Sequence, residues 1–361
     1  MNKQVVIIGA GPAGLAAAIE ATKAGCEVLL VDENSTAGGQ FFKQLHKFFG
    51  SQAHSAGVRG FEIGKKLLAE TKELGVEIWL NSAVIGIFDD KRVAVLREGT
   101  TITVQAEKIL ICTGGAENPL RFPGWTLPGV MGAGAAQTMV NVNRVLPGQR
   151  ILMIGSGNVG VIVAYQLLQA GADVAGIVEG MPRIGAYGVH AAKIKRAGVP
   201  FFVGHTIAEA RGKDRVEEAI VARFEKGKIV RGTEQKVAVD TICVAVGLRP
   251  LAELTQMTGV TQGFIPELGG YMPLHNNDME TSLSGIYVAG DTAGVEEAST
   301  AMDEGRLAAV SIAESLGCLS LPAAAVKKKE ISGRLASLRQ GPFGERRMNA
   351  KKRVIEMGAT V

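Results

Sequence analysis

Cysteine is scarce in this chain, four in 361 residues, and its arrangement excludes several kinds of chemistry. Cys26, Cys112, Cys243 and Cys318 stand far apart, and no C-x-x-C or C-x4-C pair occurs. A dithiol couple in one short motif is therefore absent. An iron–sulfur cluster, which needs about four ligands, cannot be built within this chain. Each cysteine lies in or beside an apolar segment, so buried, reduced thiols are expected. Of the five histidines, His190, His205 and His275 lack metal-ligand spacing, which argues against a metal site. No apolar run reaches the ~18 residues of a membrane span. The first strand reads from Val5, leaving no room for a secretory leader, so a cytoplasmic location is expected.

The formal net charge is +4, but it is unevenly placed. Ser320 to Val361 carries ten Lys/Arg and three Asp/Glu, a charge of +7, which leaves −3 on the body. Nothing in the body points to nucleic-acid binding.

Glycine is abundant, 47 residues, and its placement organises the chain. Val5 to Ile8 reads as a buried parallel strand. Gly9, Gly11 and Gly14 follow as G-x-G-x-x-G, with Pro12 suited to the first turn of a helix. Leu15 to Ala24 reads as a small-residue helix, and Glu27 to Val31 as a second strand delivering Asp32 and Glu33. In this order the first glycine allows the tight turn, the second lets a pyrophosphate approach, and the third lets helix and strand pack closely. The helix N-terminus faces the phosphates, and an acid after the second strand holds ribose hydroxyls. The spacing does not choose between Asp32 and Glu33.

From Arg150 the pattern repeats: ILMIGSGNVG, a helix, a strand, and Glu179. Gly155, Gly157 and Gly160 are its glycines, and Glu179 and Glu33 each lie 19 residues beyond the third glycine. The chain is thus expected to hold two mononucleotide-binding units with separate sites. Lys65 to Leu74 reads as a helix and Val76 to Leu80 as a strand. The runs AVIGIF, RVAVLR and TITVQ read as an antiparallel meander, and Lys108 to Cys112 as a further buried strand. Prolines and glycines at 119–129 mark a crossing, and Gly134 to Leu146 a helix. A second meander reads RVEEAIVARF, KIVRGTEQKVAV and TICVAVG, and the chain crosses back at Gly247–Pro250. A short buried strand ends in Gly290-Asp291, and Ala298 to Leu316 reads as a long helix. In the basic tail, Val326, Ile331, Leu335 and Leu338 recur at helical spacing, interrupted by Gly333 and Gly341-Pro342. The expected class is α/β: two Rossmann-like, three-layer ββα domains, the second (119–247) inserted in the first (1–118 and 248–320), with a basic tail (321–361).

Five ordered motifs, GAGPAG, the GGQ at Gly38 to Gln40, CTGGA at Cys112 to Ala116, GSGNVG and TSLSGIYVAGD, resemble the two-dinucleotide-binding flavoproteins of the thioredoxin-reductase type. VDE…GGQ, VGLRP and AGDTAGVEEASTAMDEGRLAA are most similar to the nucleotide-binding subunit of amine, opine and proline dehydrogenase and hydrogen cyanide synthase complexes. The resemblance implies FAD at Gly9, Gly11, Pro12, Ala13 and Gly14, with Asp32 or Glu33 on its ribose. It places Gly39 and Gln40 beside the flavin, Thr113 and Gly114 where the chain returns past it, and Gly290 and Asp291 at its ribityl or phosphate region. Glu297 and Ala298 would open the helix whose positive end faces the flavin. Gly155, Gly157, Asn158, Gly160 and Glu179 would frame a second nucleotide. Glu179 favours NAD; Arg183 keeps NADP open, and a structural nucleotide or an empty domain is a further alternative. The thioredoxin reductases of the group carry a redox C-x-x-C that this chain lacks.

His46 and His54 could shuttle protons near the flavin or be plain loop residues. Phe41, Phe42, Phe48 and Phe49 could line an approach to it or pack a core. Glu296 and Glu297 could touch the flavin edge or merely offset the helix dipole. Three functional readings follow. One is an electron-transferring FAD subunit of a multi-subunit amine, opine or imino-acid dehydrogenase. It would form an oligomer with a flavoprotein catalytic subunit or with a small iron–sulfur protein, or with both, and the basic tail could dock an acidic partner surface. Another is a self-contained NAD(P)H-dependent reductase passing electrons to ferredoxin, quinone or a small acceptor. The third is a nucleotide-binding scaffold without chemistry.

Overall fold

The computed structural model describes residues 1–48 and 51–359. It divides into two compact units, Met1–Ala116 with Leu248–Val361, and Glu117–Gly247. The first part of unit one runs β1 (Asn2–Ile8), α1 (Pro12–Lys23), β2 (Val28–Val31), α2 (Gly60–Glu73), β3 (Glu77–Trp79), β4 (Ser82–Ile87), β5 (Arg92–Arg97) and β6 (Thr100–Ile111), and β7 (Gly115–Glu117) ends it. Unit two runs β8 (Val130–Gly132), α3 (Ala133–Thr138), β9 (Arg150–Ile154), α4 (Asn158–Gln169), β10 (Asp173–Glu179), α5 (Gly188–Arg196) and β11 (Phe201–Val203). It continues with β12 (His205–Arg211), β13 (Glu218–Glu225), β14 (Lys228–Ile229), β15 (Gln235–Ala238) and β16 (Thr241–Val244). Unit one resumes with β17 (Leu248–Pro250), α6 (Glu253–Met257), β18 (Gln262–Ile265), β19 (Gly270–Pro273), β20 (Ile286–Val288), α7 (Ala298–Ser315), α8 (Leu321–Leu338) and α9 (Gly341–Ala359).

In unit one the sheet order is β3-β2-β1-β6-β5-β4, with β20 also paired to β6. Strands β3, β2, β1 and β20 are parallel to their neighbours, whereas β4 and β5 form the antiparallel meander. Val5, Val6 and Ile7 are wholly buried, as a central parallel strand covered on both faces requires. TITVQ and the strand expected at 108–112 prove to be one element, β6. Its register with β1 is constant from Asn2↔Gln105 to Ile8↔Ile111, while Thr100 to Gln105 also pairs with β5. Helix α1 buries Ala13, Gly14, Leu15, Ala16, Ala17 and Ala18, small side chains that admit α7 closely. A Cβ on Gly305 of α7 would lie 2.2 Å from the Ala13 carbonyl oxygen.

The basic C-terminal segment is not an appendage. Helices α8 and α9 belong to unit one, with Ala324, Ile331 and Leu335 of α8 buried in its main core, and Ala350 and Val354 of α9 buried against Ile265, Leu268, Met272 and Leu274. Gly333 does not interrupt α8; the break falls at Arg339-Gln340. A mid-helix glycine costs only about 1 kcal/mol relative to alanine, which the buried stripe outweighs.

In unit two, five parallel strands stand in the order β11-β10-β9-β16-β8. This is the order of β3-β2-β1-β6-β20, except that the fifth strand precedes the others in the chain. Strand β12 pairs with β13, an element the hydrophobic pattern did not reveal, and KIVRGTEQKVAV splits into β14 and β15. The helix expected at 134–146 is α3 continued by a wider π-type turn, Met139–Asn143, and closed by Arg144 in the left-handed region. Among the described residues no helix is long and apolar enough to cross a membrane.

Candidate functional site

The turn between β1 and α1 shows which glycines the fold needs and which it does not. A Cβ on Gly9, whose φ is +102°, would lie 2.3 Å from the Cys112 carbonyl oxygen, and one on Gly14 would lie 1.8 Å from that of Gly9. A Cβ on Gly11 would meet nothing within 4 Å. Packing therefore demands Gly9 and Gly14, whereas Gly11 borders open space at a helix N-terminus. No side chain caps that end, and its first turn holds no acid. Its leading N–H groups and partial positive charge are thus left for an anion. Gly39 lies against this gap, its Cβ direction 2.9 Å from the Gly11 Cα, and Gln40 beside it is exposed.

Asp32 and Glu33 have different situations. Asp32, 7% exposed, accepts hydrogen bonds from Ala10 N–H (2.6 Å), Asn34 N–H (2.8 Å) and the Asn34 side-chain amide (2.8 Å). Glu33 is exposed. In unit two, Glu179 accepts from Ser156 N–H (3.0 Å), the Ser156 hydroxyl (2.6 Å) and Met181 N–H (2.8 Å). Ala10 and Ser156 each follow the first glycine, and Asn34 and Met181 each stand two residues past the acid. Asp32 and Glu179 are therefore equivalent. The register agrees: Ile8 pairs with Val31, and Ile154 with Val178. The extra residue of the second repeat is absorbed by a register shift between Val174 and Gly176. The equal spacing to Glu33 and Glu179 in the sequence was thus a coincidence created by a β-bulge. A carboxylate has about four acceptor positions, so each of the two acids keeps capacity for a ribose hydroxyl.

The second turn repeats the glycine logic. A Cβ on Gly155 would lie 2.2 Å from the Ala245 carbonyl oxygen, and on Gly160 2.2 Å from that of Gly155, while Gly157 faces open space. Helix α4 is uncapped and has no acid in its first turn. The loop after Glu179 is tied down by side chains: Gly185 N–H donates to Ser156 Oγ (2.9 Å) and Tyr187 N–H to Asn158 Oδ1 (2.9 Å). Arg183 is exposed.

The remaining parts of the first site meet around Gly290. Gly114 N–H donates to Thr292 Oγ1 (2.8 Å), and the Thr113 hydroxyl, which bonds Leu251 O (2.7 Å), lies 3.1 Å from the same oxygen. Asp291 accepts from Glu296 N–H (3.3 Å), and burial pushes its carboxyl up to about 6. At the start of α7, Glu297 N–H is taken by Thr300 Oγ1 (3.1 Å), and the Glu297 carboxylate by Arg347 (3.1 Å). Glu296 is paired with Arg339 (3.0 Å).

His54 is buried, its Nε2 2.9 Å from Asp303 Oδ2 and its Nδ1 2.9 Å from Ser51 Oγ. His46 stacks on Phe48, and Phe41 and Phe48 are core residues with ring centroids 5.4 Å apart. Phe42 lies against Gly38, and Phe49 falls outside the described residues. Burial pushes the Cys112 thiol up and that of Cys243 to about 12, so neither is a ready thiolate. Sequence reasoning did not find Thr292, Ser156, Asp303 or Glu304. Only the adjacent acids in the largely apolar helix α7 offered a signal, since buried carboxylates require partners.

Two glycine turns at open helix ends, each with a carboxylate closing back on the turn, define a protein with two dinucleotide-binding folds. A model of the pyridine nucleotide-disulphide oxidoreductases matches residues 3–305, and the chain belongs to that family. It is similar to the hydrogen cyanide synthase subunit HcnB of Pseudomonas aeruginosa, 32% identical over 91% of this chain and 75% of that one. An opine oxidase subunit of Rhizobium meliloti is 29% identical over 91% of this chain and 65% of its own length. Among solved structures, T. acidophilum thioredoxin reductase superposes with a TM-score of 0.73 at 22% identity, covering 87% of this chain and 99% of that one. L-proline dehydrogenase from P. horikoshii gives 0.71 at 22% identity, with 92% and 59% covered. Those two likenesses establish the fold. The resemblance read from the motifs is borne out, and the chain is an FAD-dependent oxidoreductase of Rossmann-like architecture.

Proposed function

We propose that this chain is the FAD-carrying, electron-transferring subunit of a multi-subunit dehydrogenase or oxidase acting on an amine, opine or imino acid. The observation that carries the reading is the open cradle at Gly11, Gly39 and the α1 N-terminus; the sequence has no C-x-x-C pair, and burial pushes up the thiols of Cys26, which lies in hydrogen-bonding reach of Cys318, and of Cys112 and Cys243, so none of these three is a ready thiolate. Electrons then pass between the flavin and another group directly. Relatives named as subunits of hydrogen cyanide synthase, opine oxidase and sarcosine oxidase support a partner subunit.

The residues present fit FAD. Gly11, Ala13 and Gly14 would present backbone to the pyrophosphate, with Gly9 and Pro12 setting the turn. Asp32 would hold the adenosine ribose, and Gly39, Gln40, Thr113, Gly114, Gly290 and Asp291 would border the rest. Glu297 and Ala298 open the helix whose N-terminus would favour negative charge on the flavin ring. FAD supplies two-electron acceptance with one-electron steps available, and the protein supplies binding, orientation and electrostatics. Gly155, Gly157, Asn158, Gly160 and Glu179 would bind NAD in the second unit, the Glu179 carboxylate disfavouring a 2′-phosphate. The partner would be a flavoprotein oxidising the substrate, a small iron–sulfur protein receiving electrons, or both.

The absorbance spectrum of the purified chain, followed by anaerobic addition of NADH, tests this. A flavin spectrum that NADH leaves unbleached, and that an amine substrate bleaches only with the partner present, is the expected result. Rapid bleaching by NADH would favour a self-contained reductase, a reading supported by the free acceptor capacity of Glu179. A colourless chain holding an adenine nucleotide would point to a scaffold.

A further inference from the structure

Seven basic residues of the C-terminal segment reach acids of the body. Lys327 pairs with Glu20, Lys328 with Asp278 and Glu314, Arg334 with Asp303, Arg339 with Glu296 and Glu304, Arg347 with Glu297, Lys351 with Glu304, and Arg353 with Glu267. The complementarity of a +7 segment and a −3 body is therefore largely met within the molecule, which removes the reason to reserve this segment for an acidic partner.

One of these contacts reaches the Gly-Asp turn. Glu304 is 2% exposed, and its two oxygens face different ways. Oε2 accepts from Gly290 N–H (3.1 Å), while Oε1 accepts from Arg339 (2.6 Å) and Lys351 (2.7 Å). Lys351, itself 2% exposed, also donates to Ala293 O (2.9 Å). Arg339 holds Glu296, whose N–H bonds Asp291. The turn from Gly290 to Glu296 is thus held at Gly290, Ala293 and Glu296 by one buried carboxylate and two cations of the C-terminal helices. Gly290 in turn lies against Ala13 in the first turn of α1. Without the cations, the buried Glu304 and the half-buried Asp291 and Glu296 would be three neighbouring acids lacking counter-charge, an arrangement that must protonate or open.

We propose that Arg339 and Lys351 are positioning residues of the cofactor site, holding the Gly290–Asp291 turn through Glu304 in the shape that receives FAD. The inference rests on the FAD reading above. The C-terminal helices are then a working part of the flavin site, although they lie beyond the family match at residue 305.

The test is FAD titration of the deflavinated full chain, followed by flavin fluorescence, alongside thermal unfolding of the same apoprotein. Arg339→Gln and Lys351→Met are expected to weaken FAD binding by about tenfold or more, as loss of a residue supporting a ligand contact typically does. Arg339→Lys should recover part of it. Lys328→Gln, which breaks tail ion pairs away from the turn, should leave FAD affinity unchanged. Should Lys351→Met not fold, Glu304→Gln serves instead: it keeps an acceptor for Gly290, loses the charge that gathers both cations, and is expected to weaken FAD binding likewise. Wild-type affinity in Arg339→Gln and Glu304→Gln, or equal weakening in Lys328→Gln, overturns the proposal while the FAD reading stands. A wild-type chain that takes up no FAD overturns both.

Discussion

The two strand–turn–helix units share a backbone and differ in what fastens it. In the first, the loop after the acid is held to the turn by a backbone bond, Gly38 N–H to Ala10 O (2.7 Å), and the side chains at the turn, Ala10, Pro12 and Ala13, carry no polar atom. In the second, Ser156 and Asn158 bind the corresponding loop through their side chains. Behind the first turn, α7 brings Asp303 and Glu304 to the partners supplied by α8, α9 and His54. The phosphate-facing machinery is thus written in the backbone and common to both units. Their difference lies in side chains, those of Ser156 and Asn158 in the second turn and those that α7, α8 and α9 bring behind the first; on the function proposed above, that difference would let one repeat serve two nucleotides.

If the two turns are equivalent, the largest effect should be the same in both. Gly9→Val and Gly155→Val each drive a side chain into a carbonyl oxygen, in a backbone conformation that valine resists, and each should cost more than about 4 kcal/mol. Denaturant unfolding measures this, and a near-normal midpoint for either variant would break the equivalence.

A smaller effect separates the units. Burial pushes the Asp303 carboxyl up, but hydrogen bonds from His54, Arg334 and Arg306 override this and hold it well below the usual carboxylate range. Its contribution is therefore full above the ordinary value near pH ~4 and drains as pH falls below it. Asp303→Asn should cost about 3–5 kcal/mol at neutral pH, because the half-buried Arg306 and Arg334 lose the wholly buried carboxylate they share, and Arg334 keeps only the exposed Glu330. The loss should shrink as a pH series of unfolding midpoints descends below ~4. A constant difference across that series would mean that charge pairing is not its source.

Smaller still is the contrast between the adjacent acids. Asp32→Asn removes a charged acceptor from three donors and should weaken FAD binding by about 1.5–3 kcal/mol, while Glu33→Gln should leave it unchanged. Isothermal titration decides, and a reversed order would restore Glu33 to the ribose.

Much of this plan was legible because glycines and acids punctuate buried runs in a fixed order. The choice between Asp32 and Glu33 was not, since a bulge near Ala175 adds a residue to one repeat without altering its composition. Strand β6 reads as two runs because its partners change along its length while its backbone does not. The charge imbalance of the C-terminal segment could be counted, but its destination depends on which acids are buried. That depends on tertiary packing of α7, where Asp303 and Glu304 stand between Met302 and Gly305.

Whether the first turn carries FAD and the second a separate nucleotide is decided by flavin content in two matched variants. Gly11→Val and Gly157→Val both place a side chain in open space, so both should fold. Gly11→Val is expected to be purified without a flavin absorbance band and Gly157→Val with the wild-type complement. A Gly157→Val protein that loses the band while Gly11→Val keeps it would put the flavin in the second unit.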